Sequence, residues 1–136
     1  MSGSHHQLVR KFFAALSTGN LPDDLLADDM TVWTTTSGFA GAAKAKYQGA
    51  VKLLQSLFPD GLAYRIDSIT AEDDRVAAEV QAHGTLSNGE LYENSYVFIF
   101  RIREMRIASL AEHFNALIVR DKINPLIVAA MSKPAV

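Results

Sequence analysis

Residues 62–119 read as four consecutive β-strands joined by tight hairpins, and no other part of the chain constrains the fold as much. The strands cover about residues 62–71, 75–86, 91–103 and 107–119. Asp73-Asp74 and Asn88-Gly89 mark two of the turns; Asn-Gly is the strongest short-range signal for a turn with two positive φ angles. Glu104-Met105 holds the third hairpin without the usual glycine. A sheet of this kind curls around helices and leaves a hollow between the two layers.

The preceding half supplies the helices. Leu8, Val9, Phe12, Phe13 and Leu16 recur at helical spacing over residues 6–18, and Gly19-Asn20 forms a C-cap. Pro22 opens a short second helix that leads into Asp28-Asp29. Residues 30–35 are β-branched and aromatic and predict a short strand. Gly38 and Gly41 mark a loop, and residues 42–58 form another helix with Tyr47, Val51, Leu54 and Phe58 on one face. Pro59-Asp60-Gly61 ends it. Residues 121–131 predict a terminal helix, with Pro125 either in its first turn or breaking it.

Length and charge narrow the functional classes. A chain of 136 residues is one domain, 1–136, able to bury a core without staples. A net charge of -2 argues against nucleic-acid binding, which needs a basic stripe. No cysteine is present, which removes disulfides and thiolate metal sites. No apolar run reaches the roughly 18 residues of a membrane span, and the polar start lacks the core of a signal peptide. The expectation is a cytoplasmic protein that engages neither nucleic acid nor membrane.

Strand alternation divides the side chains into two faces. Val76, Ala78, Val80 and Ala82 oppose Ala77, Glu79, Gln81 and His83; Tyr92, Asn94, Tyr96 and Phe98 oppose Glu93, Ser95, Val97 and Ile99. On the last strand Leu110, Glu112 and Phe114 oppose Ala111 and His113. Both faces carry apolar residues, while the helices cover only one. The leftover face, read as Val80, Ala82, Val97 and Ile99, is a candidate homodimer contact.

Four phrases in order resemble the SnoaL-like branch of the nuclear transport factor 2-like, or ketosteroid isomerase-like, superfamily. They are STGN ending the first helix, LADDMTVW entering the first strand, the SNGELYENSYVF hairpin and RIASLAEHF on the last strand. The resemblance covers nearly the whole chain. It implies a cone-shaped α+β barrel, a strongly curved, mainly antiparallel sheet wrapped around three N-terminal helices. Such folds host ketosteroid isomerases, limonene epoxide hydrolases, polyketide cyclases, dehydratases and non-catalytic binding domains. The carboxylate base of ketosteroid isomerase falls at Thr34, and its oxyanion-holding Tyr and Asp fall at Phe12 and Phe98. The Asp-Arg-Asp cluster of epoxide hydrolase falls at Glu112, Gln81 and Glu79, without the arginine. Neither catalytic set is intact.

With a gap-free register through Asn88-Gly89, the same comparison turns Gln81, His83, Asn94, Tyr96, Phe98, Leu110, Glu112 and Phe114 inward. The resulting site pairs Glu112, whose pKa rises among apolar neighbours, with His83 as its partner. Such a pair moves protons in isomerisation, cyclisation, dehydration or hydrolysis. Gln81, Asn94 and Tyr96 orient an oxygenated substrate, and Trp33, Phe58, Phe98, Leu110 and Phe114 line its apolar side. No cofactor and no metal is implied: His5-His6 is terminal and His83 lacks a second inward histidine. The alternatives are a non-catalytic binder of hydrophobic small molecules and a dimeric interaction module.

Overall fold

The computed structural model describes residues 2–36 and 44–131. The first half contributes helix α1 (Ser2–Leu16), a 3-10 turn (Asp23–Leu25), strand β1 (Leu26–Thr34) and helix α2 (Lys44–Ser56). The second half contributes β2 (Ala63–Glu72), β3 (Arg75–Thr85), β4 (Leu91–Arg103) and β5 (Arg106–Phe114). A helical tail follows: α3 (Ala116–Ile118), a π-helical turn (Val119–Ile123) and α4 (Asn124–Met131). The strands form one open, mixed sheet in the order β1-β5-β4-β3-β2, with β1 parallel to β5 and the other pairs antiparallel. Register shifts between Ile66 and Ser68, and between Arg101 and Ile102, are places where an extra residue bends and twists a strand. This is the expected α+β cone.

Several boundaries differ from the sequence reading. β1 starts at Leu26 rather than at residue 30, and the helix expected after Pro22 is only the 3-10 turn. The last strand stops at Phe114 because Asn115 caps a helix, its side chain accepting from the Leu117 N–H at 3.0 Å. Pro125 is the second residue of α4 but does not begin a helix: the helical run continues through it from the π-helical turn Val119–Ile123 immediately before. His5 and His6 belong to α1. The loop expected around Gly38 and Gly41 lies outside the described residues. No described helix is long and apolar enough to cross a membrane.

The middle hairpin decides which side chains face inward. A two-residue turn at Asn88-Gly89 would pair Ser87 with Glu90, so odd positions of β3 would face the same way as even positions of β4. Instead the loop has three residues, Ser87-Asn88-Gly89, closed by the Leu86 N–H donating to the Glu90 carbonyl at 2.8 Å. Gly89 takes φ +86°, the left-handed position such a loop needs. Even positions therefore pair with even ones: Val80 with Tyr96, Ala82 with Asn94. The concave side of β3 is Val76, Ala78, Val80 and Ala82, all buried, and His83, exposed, points the other way.

The small side chains of β3 leave room for α1. Its buried face of Leu8, Val9, Phe12, Phe13 and Leu16 lies over β4, where Phe13 meets Phe98 edge-on at 4.9 Å and Phe12 meets Phe100 at 5.2 Å. Replacing a fully buried ring such as Phe12 by alanine costs on the order of 3–5 kcal/mol. Gln55 ties α2 into this layer by donating to the Leu16 and Leu62 carbonyls at 3.1 Å each and accepting the Leu62 N–H at 2.9 Å. Gly84 lets Phe58 approach the sheet, since a Cβ there would sit 2.9 Å from the ring.

Candidate active site

Away from the α1 contact the layers part and enclose a cavity of about 320 Å³. Its walls come from the end of α1, from β1, α2, β2, β4, β5 and the π-helical turn. Leu16, Val32, Val51, Leu54, Phe114, Val119 and Ile123 make it mostly apolar. Its polar groups are Thr34, Thr36, Lys46, Glu112 and Tyr47, Tyr64, Tyr92 and Tyr96, which are the only four tyrosines of the chain.

Glu112 projects from β5 opposite Phe98, on the concave face. Tyr47, buried one helical turn before Val51 on α2, donates its hydroxyl to Glu112 Oε2 at 2.5 Å. Burial lifts the Glu112 carboxyl from its ordinary 4.5 to about 7, and the Tyr47 hydrogen bond opposes part of that rise. Burial and the neighbouring Glu112 charge push the Tyr47 hydroxyl well above the usual range for tyrosine. Tyr64 is raised well above that range for the same two reasons.

A second hydrogen-bonded group occupies β4. The Tyr92 and Tyr96 hydroxyls lie 2.7 Å apart, and Asn94, 4% exposed, donates to Tyr92 at 3.0 Å and to the Asn115 carbonyl at 3.2 Å. Asn94 Oδ1 accepts the Asn115 N–H at 3.3 Å. Asn94 therefore ties the end of β5 to β4 from outside the cavity.

Of the residues picked out from the sequence, Glu112, Tyr96 and Phe114 line the cavity, and Asn94 touches it through Tyr92. Thr34 lines it too. The others are corrected. His83 is exposed on the convex face, between Ala63 and Glu93 of the neighbouring strands, and does not pair with Glu112. Gln81 shares that face: it accepts from Ser95 Oγ at 2.7 Å and donates to Asp67 at 3.2 Å. The register error of one residue explains both, and it equally moves Glu79 outward and Val80 and Ala82 inward. Trp33 is on the convex face too, its ring 4.7 Å from that of His113. Phe98 and Leu110 are buried beneath α1 and do not border the cavity, and Phe58 packs on Tyr92 at 5.7 Å.

Sequence reasoning missed Tyr64 and Tyr92 as site residues and placed Tyr47 only on the apolar face of its helix. A signal was present: all four tyrosines occupy inward positions, and a buried tyrosine needs a partner for its hydroxyl. Among the described residues no group of three His, Asp or Glu gathers as a metal site.

An open, curved α+β sheet with a pocket between its concave face and the helices defines an NTF2-like cone. The chain belongs to the SnoaL-like domain family, whose profile matches residues 9–110. Among solved structures it is similar to IdmH of Streptomyces antibioticus, described as a candidate polyketide cyclase, with TM-score 0.73, 20% identity, and 85% of this chain and 95% of that one covered. AclR of Streptomyces galilaeus, described as a candidate hydroxylase, matches with TM-score 0.73 and 20% identity over 100% of this chain and 89% of that one. An NTF2-like protein from Anabaena variabilis matches with TM-score 0.72 and 24% identity over 83% and 87%. Identities this low establish the fold alone. A comparison with curated proteins found no match.

Proposed function

We propose that the chain is a cofactor-independent acid/base enzyme acting on a small, largely apolar, oxygenated molecule, with Glu112 as the group that moves the proton. The observation that carries this reading is a carboxyl enclosed by apolar walls, held by one phenol and titrating at about 7. At neutral pH such a group is half base and half acid, the condition under which proton abstraction and return are both efficient. Ionised Glu112 takes a proton from the carbon beside a carbonyl. Its acid form gives that proton back to a different carbon, or to the alkoxide formed when a ring closes. One structural neighbour, IdmH, is described as a candidate polyketide cyclase, and a carboxyl that takes and returns a proton suits ring closures that begin at an acidic carbon.

The test is exchange of α-hydrogens for deuterium in a panel of small cyclic ketones and 1,3-dicarbonyls. The wild type is expected to accelerate exchange, and Glu112→Gln to lose at least a hundredfold of that acceleration, the range typical of one general base. Equal rates for the two proteins on compounds that both bind would overturn the catalytic reading and leave a carrier of hydrophobic ligands.

A homodimer through the convex face is part of the same reading, with its composition corrected. Trp33, Ala111, Ile99 and Ala77 form one row across four strands by register, and Val97, 38% exposed, lies beside it. Helices cover the other face, so a second copy is the cover this one lacks.

A further inference from the structure

Two phenol protons of the pocket find no acceptor among the described residues. Tyr47 is committed to Glu112. The orientation of the Asn94 amide is settled by the Asn115 backbone, which presents one N–H and one carbonyl to it. Flipping the amide would turn both contacts into repulsions, so Nδ2 donates to the Tyr92 oxygen. With that oxygen already accepting, the Tyr92 proton goes to Tyr96 at 2.7 Å. The Tyr96 proton then has no acceptor among the described residues. Neither has the hydroxyl of Tyr64, whose ring lies 6.3 Å from that of Tyr96; both side chains line the cavity.

We propose that Tyr64 and Tyr96 form a two-hydroxyl site for the carbonyl oxygen of the ligand, and that Asn94 is the positioning residue that aims the Tyr96 proton into the pocket. A carbonyl oxygen has two lone pairs and so matches two donors, whereas an alcohol or amine would bring a surplus proton of its own. The ligand class is therefore a carbonyl compound. The inference rests on the proposed function only in using the same pocket; binding the oxygen does not require Glu112 to act. If Glu112 does act, the C–H bond breaks, its proton goes to the Glu112 carboxylate, its electron pair forms the C=C bond, and the carbonyl π pair moves onto oxygen. The enolate oxygen then lies between two phenols, where its charge is stabilised.

Acetophenone, small enough for the cavity, serves as the probe, with its carbonyl stretch read by infrared difference spectroscopy. Bound to the wild type, the band is expected at lower frequency than in an aprotic solvent, and Tyr64→Phe should lose part of that shift. Asn94→Asp should lose a similar part, because a carboxylate draws the Tyr92 proton outward and the Tyr96 proton follows it. Adding Tyr92→Phe to Asn94→Asp should restore the shift, which a merely structural role for Asn94 would not do. Glu112→Gln should keep the shift even if it abolishes exchange, so the two proposals fail separately. An unshifted band in the wild type, a full shift in Asn94→Asp, or no saturable binding at millimolar probe overturns the inference. If Asn94→Asp does not fold, Tyr96→Phe decides: retention of the full shift there overturns it equally.

Discussion

The Tyr47 hydroxyl reaches 2.5 Å from Glu112 Oε2, joining α2 to the last strand across the floor of the pocket. Among the described residues this bond is the contact that favours the charged form of a carboxyl otherwise pushed toward neutrality by burial. Tyr47→Phe is therefore expected to move the Glu112 titration upward from about 7. Carbon-13 NMR of the labelled side-chain carboxyl checks it; a midpoint that stays or falls contradicts the assignment.

Glu112 also sets a direction for stability against pH. The folded chain holds its proton up to about pH 7, whereas an ordinary glutamate releases it near 4.5. Between those values the folded state binds more protons than the unfolded one, so stability falls as pH rises through this window. The loss is complete above pH 7 and on the order of 3 kcal/mol at most. Glu112→Gln should accordingly be more stable than the wild type above pH 7, with the gap closing toward pH 4.5, as urea denaturation at several pH values would reveal.

Removing His83 should do little. It is exposed on the face opposite the pocket, so His83→Ala is expected to change stability by less than about 0.5 kcal/mol. The Glu112 midpoint should not move. A displaced midpoint in the same NMR titration would restore the pairing that the register excludes.

The third hairpin carries local strain. Glu104 and Met105 both sit in the left-handed region, at φ 52° and 57°, where glycine or asparagine is at ease. Met105→Gly should relieve part of this and raise the unfolding free energy by about 0.5–1 kcal/mol. The side chain is 46% exposed, so little packing is lost. A lower urea midpoint would show that the Met105 side chain outweighs the strain.

Val97→Asp places a charge at the edge of the convex apolar row, between Glu79 and His113, without entering the core. The wild type is expected to sediment as a dimer and the variant as a monomer with unchanged circular dichroism. A wild type that remains monomeric at the highest concentrations reached would discard self-association through this face.

The fold was legible because it depends on periodic signals. The apolar stripe from Leu8 to Leu16, the alternation along Tyr92 to Phe100 and the hairpins at Asp73-Asp74 and Glu104-Met105 each act over a few residues and reappear in the structure, while the hairpin at Asn88-Gly89 reappears with one residue more in its loop. The start of β1 was less visible: Asp28-Asp29 reads as an acidic stretch between a short helix and the strand, and pairing of Leu26 with Ile107, far away in the chain, makes residues 26–29 strand. Glu112 was also recoverable, since its inward direction follows from alternation with Leu110 and Phe114 on the same strand.

The sequence by itself determined the class of architecture, the identity of the curved sheet and the face of each strand relative to its own neighbours, because local pattern and turn chemistry suffice for those. Only the tertiary structure decided how the faces of different strands combine. One additional residue in the loop after Leu86 turned His83 and Gln81 out to solvent, and it was helix packing, not strand alternation, that brought Tyr47 to Glu112. A strand reverses its side chains at every step, so the composition of a pocket depends on loop length to the single residue, a quantity that hydrophobic pattern does not encode.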